Sequence, residues 1–418
     1  MDDDGRIRSA AVVTTGCRLN QAESDILRSR LRERNFVIVP QPERADVCYV
    51  NTCAVTAAAS RTSIQRIRQV CRLRPKPWVV VLGCLAQHER MRVESIEGVD
   101  EVWDNLRKRT ELADACPFPS RSRAVLKVQD GCDFGCSFCV VSGLRGRPRS
   151  VEPELVCRQV DELVSAGYQE IVLTGLNLGQ YKSADGRGLP DLLALLLSRS
   201  GFRIRLASIE PDGFSERLSE VLAEDRICPH FHVPLQSGDD GVLTLMGRRY
   251  KAADYARLLE WLVRLRPEAC IGADVIAGFP GESENSFRRT ASFLDALPLA
   301  YLHAFPYSAR SGTKAQTLGD SVSASVKRSR VAVLREYSKE RSLEFRRRFV
   351  GSVREAVVES YSSATTDNYL HLELERGVSC QPGRLLRLRI VERLGRFFGQ
   401  PVAVHEPSAI RRYRNIET

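Results

Sequence analysis

Gly131-Cys132-Asp133-Phe134-Gly135-Cys136-Ser137-Phe138-Cys139 places three cysteines within eight residues, spaced by three and then two. A run this short can wrap its thiolates around one iron–sulfur cubane, because Gly131 and Gly135 allow the backbone to turn sharply. Three thiolates fill three irons of a four-iron cluster and leave the fourth open to another ligand. A zinc knuckle is the competing reading, but zinc usually takes four tetrahedral ligands in paired Cys-x-x-Cys units. No fourth Cys or His stands near this run. Ordinary buried thiols are the remaining alternative.

Working outward, the stretch sits inside 418 residues, too many for one ordinary core, so two or three domains are expected. Met1-Asp2-Asp3-Asp4 does not lead into the apolar core of a signal peptide, and no apolar run approaches the roughly 18 residues of a membrane span. A cytoplasmic protein with no membrane contact is expected. Its thirteen cysteines then read as reduced thiols and metal ligands rather than a disulfide framework. The net charge is +10, and from Ser323 onward 19 Lys and Arg face 11 Asp and Glu. Most of the basic excess is therefore C-terminal, which suits a polyanion partner; a solvated basic helix is the alternative.

Residues 1–115 alternate short apolar runs with helical stretches, predicting an open parallel α/β sheet domain. Three of those runs lead to a cysteine: Ala10–Gly16 to Cys17, Val47–Thr52 to Cys53, and Trp78–Gly83 to Cys84. Positions just past the strand ends of such a sheet share one edge, so three thiols distant in sequence can converge as a second three-thiolate site. The Cys116–Arg123 stretch breaks both periods and reads as a linker.

Residues 124–349 hold six alternating βα units, predicting a partial (β/α)6 barrel with its chemistry on one face. The expected strands are Ala124–Val128, Glu170–Thr174, Arg203–Ser208, His230–Val233, Cys270–Ala277 and Ala300–Phe305. The expected helices between them are Pro153–Ala166, Leu189–Ser198, Phe214–Ala223, Ala252–Leu265 and Ser283–Leu297. Several loops carry polar or glycine-rich ends: Thr174-Gly175, Glu210, His232 with Gln236, and Gly278. A charged helix is expected over Ser323–Phe349, and its Lys327, Arg328, Arg330, Arg346, Arg347 and Arg348 read as phosphate contacts. Residues 350–418 show strand-like runs at Ser352–Ser360, Tyr369–Leu374, Leu385–Val391 and Pro401–His405, predicting a small β-barrel of the kind that often binds nucleic acid.

The central cysteine run resembles the signature of radical S-adenosylmethionine (SAM) enzymes, in which the open iron chelates SAM and an electron cleaves it to a 5′-deoxyadenosyl radical. The whole chain is similar to the radical SAM methylthiotransferase family. Gly16-Cys17, Asn51-Thr52-Cys53-Ala54-Val55-Thr56, Gly83-Cys84, His232–Gly238, Asp274–Glu282 and Phe305-Pro306-Tyr307-Ser308 carry the likeness. Cys17-Arg18-Leu19-Asn20-Gln21 and Thr366-Asp367-Asn368-Tyr369 are similar to the branch acting on N6-threonylcarbamoyladenosine in tRNA. Val140-Val141-Ser142-Gly143-Leu144 departs from the Ile-Pro-aromatic-Ala-like run of the family.

The resemblance implies two 4Fe–4S clusters, with Cys132, Cys136 and Cys139 catalytic and Cys17, Cys53 and Cys84 holding an auxiliary cluster. It also implies a C-terminal TRAM domain that binds RNA, methylthiolation at C2 of the modified adenosine, and dependence on a flavodoxin- or ferredoxin-type electron donor and a sulfur source. Thr174, Gly175, Glu210, His232, Gln236 and Gly278 are the expected SAM and substrate contacts. A ribosomal-protein substrate and a non-enzymatic iron–sulfur RNA-binding protein are the competing readings. The seven cysteines outside both triads read as incidental thiols.

Overall fold

The strands nearest the N-terminus are apolar on both faces, which a parallel sheet sandwiched between helices requires. The computed structural model describes residues 8–113, 115–119, 121–375 and 380–402. Its first sheet is parallel, in the order Val37–Ile38, Ser9–Thr14, Val47–Thr52, Trp78–Gly83, Glu101–Val102. Alternate residues feed two cores. Ala11, Val50, Val79 and Val81 pack with Ile64 and Ile67 on one side. Ala10, Tyr49, Val80 and Leu82 pack with Ile26, Leu31 and Trp103 on the other. Each fully buried Val, Leu or Ile among them contributes about 1.5–3 kcal/mol.

Six parallel strands then follow in chain order. Ala124–Lys127, Glu170–Thr174 and Arg203–Leu206 pair as one group, and His230–His232, Cys270–Ala277 and Tyr301–Pro306 as another. The groups meet where Ile209 N–H donates to the His232 carbonyl at 3.0 Å and where Ile204 bridges Ile227. This is the expected partial barrel, and element ends shift by two residues at most. A short helix at Asp240–Leu245 is not announced by the apolar pattern. It matters because the carbonyls of Leu245 and Met246 brace the central cysteine loop through Ser137.

The long helix Ala324–Arg347 lies against strand Tyr301–Pro306, where Ser338 Oγ donates to Leu302 O and accepts from Leu302 N–H. Its Phe345 enters the core of a closed five-stranded barrel together with Ala356, Leu372, Ile390 and Phe397. That barrel comprises Val353–Ser360, Ser363–Thr366, His371–Leu374, Leu385–Arg393 and Arg396–Pro401. Two of these strands were not expected. Ser363–Thr366 carries no large apolar side chain, and Arg396–Pro401 mixes Arg, Gly and Gln, so neither stands out from a loop. The expected strand Pro401–His405 falls beyond the end of Arg396–Pro401, and its residues 403–405 lie outside the described residues.

Two buried charge clusters tie the parts together. Glu170 accepts from Arg203 Nε at 2.8 Å and Arg205 Nε at 2.7 Å, while Arg205 also donates to the carbonyls of Thr366 and Asp367 at 2.9 Å. Glu23, on the helix after Cys17, meets Lys108 at 3.0 Å, Lys127 at 3.3 Å and Arg145 at 2.8 Å. Both carboxylates are fully buried, and each is shared by more than one cation, so the carboxylate is the member whose removal would cost most. Among the described residues no helix is long and apolar enough to cross a membrane.

Candidate active site

The strand-end cysteines converge because their strands are adjacent and in register. Thr14 pairs with Asn51, and Thr52 with Gly83, so each chain leaves the sheet at the same edge. Gly16 and Gly83 precede two of the cysteines, both at φ +98°, a conformation that favours glycine. A Cβ on Gly16 would lie 2.8 Å from Cys53 Sγ, and one on Gly83 would lie 2.4 Å from the Thr52 carbonyl. Asn20 Nδ2 donates to the carbonyls of Thr15 and Thr52 at 2.9 Å, and Ser63 Oγ braces both the N–H and the carbonyl of Cys53 at 3.1 Å.

Burial pushes the Cys53 thiol up to about 11, and the Cys17 and Cys84 thiols beside it act in the same direction. The three cysteines are free, and Cys17 and Cys84 each act on the Cys53 thiol electrostatically, a mutual repulsion that a cation bound between them would relieve. The donor set therefore fits an iron–sulfur cluster.

In the central loop, Gly131 at φ +77° leaves no room for a Cβ, which would meet the Arg147 carbonyl at 2.1 Å. Cys132 N–H donates to Gly146 O at 3.0 Å and Cys139 N–H to Cys136 O at 3.1 Å. Ser137 is pinned from outside, donating to Met246 O at 2.9 Å and Leu245 O at 2.7 Å. Arg248 Nη1 donates to Cys136 Sγ at 3.3 Å while its other arm pairs with Glu210. Burial raises the Glu210 carboxyl, and Arg248 opposes that. Asn177 is buried beside the Cys132 thiol, and its side-chain amide has no other hydrogen-bond partner among the described residues. Half-exposed free thiols with an amide left over fit a cluster that carries a further polar ligand.

Between the sheet edge and the barrel lies a cavity of about 650 Å³. Cys17, Cys53, Phe138, Thr174, Gly175 and Gln236 line it, with Arg18, His230, His232, Asp274, Tyr301 and His303 on the same wall. Four of the six expected contacts, Thr174, Gly175, His232 and Gln236, thus face it. Glu210 and Gly278 do not. Glu210 is drawn off to Arg248, and Gly278 turns at φ +74° against the Lys327 side chain, where a Cβ would come within 2.4 Å. Those two expectations are corrected.

Asp274, His303, Tyr301 and Arg18 are wall residues absent from the expected contacts, although Asp274 and Arg18 stand in motifs that carry the family likeness. Asp274 Oδ1 receives His232 Nε2 at 3.1 Å and His303 Nδ1 at 3.2 Å, and the three ligand atoms lie within 4.8 Å of one another. Burial acts to raise the Asp274 carboxyl, but the two imidazole hydrogen bonds hold it well below the usual carboxylate range. Tyr301 hydroxyl bridges His230 Nε2 at 2.9 Å and His232 Nδ1 at 3.1 Å. Burial holds the His230 ring neutral. The alternation of His303 and Phe305 toward the cavity along strand Tyr301–Pro306 was the available signal.

The basic helix needs a correction too. Lys327 is buried and pairs with Asp320, and Arg330 is buried with its Nη1 2.6 Å from Glu282 Oε2. Neither is presented to a phosphate, because this face of the helix covers the barrel. Arg328 and Arg348 are exposed, Arg347 is exposed but paired with Glu392 at 3.0 Å, and Arg346 is half-buried over the Phe397 ring. Val140 and Val141, in the departing stretch after Cys139, are buried in the core of the first sheet. Of the incidental thiols, Cys48 is buried in the same core and pushed up to about 12.

Residues 9–104 match the model of an uncharacterized protein family, UPF0004, and residues 126–294 that of the radical SAM superfamily. The chain is 35% identical over 409 residues to the threonylcarbamoyladenosine tRNA methylthiotransferase MtaB of Aquifex aeolicus (strain VF5), spanning 91% of this chain and 99% of that one. It is 33% identical over 428 residues to the protein of the same name from Bacillus subtilis (strain 168), spanning 92% and 94%. Among solved structures it is similar in fold to the radical S-adenosylmethionine methyltransferase TsrM from Kitasatospora setae, with tryptophan substrate and a SAM analog bound. The TM-score is 0.55 at 16% identity, covering 71% of this chain and 73% of that one.

Proposed function

This chain belongs to the radical SAM threonylcarbamoyladenosine tRNA methylthiotransferases, and from that membership we propose how its cavity does their chemistry. The enzyme converts N6-threonylcarbamoyladenosine next to the anticodon of tRNA to its 2-methylthio derivative, using two 4Fe–4S clusters and SAM. The observation that carries the reading is one cavity that reaches both cysteine-bearing regions: Cys17 and Cys53 line it from one side, and Phe138, the neighbour of Cys139, from the other.

When bound, the clusters supply the electron that cleaves SAM and the sulfur that is transferred to C2. Cys132, Cys136 and Cys139 are assigned to hold the first cluster, and Cys17, Cys53 and Cys84 the second. Thr174, Gly175 and Gln236 offer backbone and amide groups to SAM, and the Asn177 amide, with no partner but the Cys132 thiol among the described residues, extends that set toward Cys132. Leu19, Val55, Leu176, Ile276 and Phe305 line the same space and exclude water from a reactive carbon centre. Asp274 fixes His232 and His303 at the wall, so both imidazoles keep one orientation as the base enters.

Residues 1–115 are assigned to the methylthiotransferase domain, 124–349 to the radical SAM barrel with its linking helix, and 350–418 to an RNA-binding TRAM domain. The reaction further needs a flavodoxin- or ferredoxin-type electron donor and a sulfur source, and belongs in the cytoplasm with its tRNA. Nucleoside mass spectrometry of tRNA from a deletion strain tests the reading. Loss of 2-methylthio-threonylcarbamoyladenosine with the isopentenyl derivative untouched is expected. An unchanged tRNA profile, or loss of a modification from ribosomal protein instead, would overturn it.

A further inference from the structure

We propose that Arg18, steadied by the Tyr369 hydroxyl, is the receptor for the carboxylate of the threonylcarbamoyl substituent and so sets which modified adenosine the cavity accepts. The inference rests on the function proposed above and deepens it.

Arg18 lines the cavity immediately after Cys17. It occupies the first turn of the 16-residue helix Arg18–Glu33, where a cation opposes the helix dipole and no acidic residue offsets it. Other inward arginines, Arg145, Arg203, Arg205 and Arg248, each pair with a carboxylate. Arg18 pairs with none among the described residues. A placement that breaks a local rule without internal compensation marks a functional position.

Its one strong partner comes from the C-terminal barrel, where Tyr369 hydroxyl accepts from Arg18 Nη2 at 2.9 Å. Tyr369 is itself clamped. It adopts φ +67° and stacks on His230 with ring centroids 4.0 Å apart, and Arg205 lies 5.3 Å from its ring. A guanidinium held by one nitrogen keeps its remaining N–H donors free for a planar anion.

Among the residues that line this cavity Arg18 is the one arginine or lysine. Asp274 is negative, and His232 and His303 are committed to it. The substrate supplies the missing charge, because threonine linked through a carbamoyl group carries a free carboxylate, whereas an isopentenyl group carries none. C2 and C6 of adenine flank the same ring nitrogen. A base that presents C2 beside Cys17 therefore holds its N6 substituent within reach of the neighbouring arginine.

The test is binding of a fluorescent anticodon stem-loop to reconstituted holoenzyme, by polarisation, with product read separately by mass spectrometry. Three RNAs are compared: threonylcarbamoyladenosine, its methyl ester, and unmodified adenosine. Wild type should prefer the acid over the ester by about 10- to 100-fold, the usual worth of a charge-assisted hydrogen bond. Arg18→Gln should erase that preference and leave the other two RNAs as they were; Arg18→Lys should restore part of it. Tyr369→Phe, in a residue distant in sequence from the cluster ligands, should reduce the preference without changing iron content.

Equal wild-type binding of acid and ester would overturn the inference. So would an equal loss on all three RNAs in Arg18→Gln, which marks a phosphate contact. If Arg18→Gln loses iron, Tyr369→Phe decides, and an undiminished preference there overturns the proposal. A wild type with the acid preference but no methylthio product would leave the receptor standing and sink the proposed reaction, while product without the preference does the reverse.

Discussion

The two cysteine triads reach similar ends by opposite means. Cys132, Cys136 and Cys139 share one loop whose glycine turns bring the thiols together locally. Cys17, Cys53 and Cys84 share nothing local; three adjacent strands in register deliver them to one sheet edge. The first site is a property of eight residues. The second is a property of a folded sheet and is only as durable as that sheet's packing.

The sharpest way to break this contrast is to remove one thiol from each triad. Cys136→Ala should abolish 5′-deoxyadenosine formation from SAM, whereas Cys53→Ala should keep it and lose only the methylthio product. Iron should fall from about eight to about four per chain in either variant. Loss of SAM cleavage in both would mean that the sites are not separable.

Next is Glu23→Gln, which strips the shared carboxylate from Lys108, Lys127 and Arg145. Lys127 and Arg145 keep Asp130, at 3.2 and 3.0 Å, but Lys108 is left buried without a carboxylate among the described residues, which should cost about 3–5 kcal/mol. Calorimetry should show the fall in Tm, and chelator challenge should empty the sheet-edge triad before the loop triad. Burial acts to raise the Glu23 carboxyl, but Arg145, Lys108 and Lys127 hold it well below its usual range. Its contribution is therefore complete above its unfolded value of about 4.3 and is lost as pH falls through the lower folded value. Wild-type Tm should drop more steeply than that of the variant between neutral pH and acid.

Glycine substitutions give a smaller, graded comparison. Gly16→Ala meets Cys53 and a left-handed φ together, so the auxiliary iron should fall. Gly135→Ala at φ +68° has no atom within 4 Å of its new Cβ and should cost only the backbone strain, about 1–2 kcal/mol. Iron content of the two variants checks this.

The smallest effects should come from the long helix. Arg328→Ala should lower the salt dependence of tRNA binding by about one unit of slope and leave both triads loaded. Lys327→Ala should instead lower Tm with the slope unchanged, because Lys327 is already paired with Asp320.

That helix shows where reading by pattern stops. Lys327 and Arg330 look like part of a basic run, yet they lie on the side of Ala324–Arg347 that faces strand Tyr301–Pro306 and Glu282. A charge run carries no mark of which face will be covered. Glu210 followed the right strand but was captured by Arg248, a partner 38 residues away. Thr174, Gly175, His232 and Gln236 were legible because loops after parallel strands open on one face whatever their sequence. Arg18 and Tyr369 were visible as letters of two separate motifs and not as a pair.

What the linear chain decided alone is short in range: the loop triad, the alternating βα units and the three cysteines at strand ends, all governed by neighbours and by strand periodicity. What tertiary structure decided is which charges stay free. Arg145, Lys108 and Lys327 became buried struts, while Arg18 was left facing the cavity with no carboxylate partner among the described residues. The reason is that a charge can be buried only beside an opposite charge, and those partners come from elements far apart in sequence that meet only once the chain has folded.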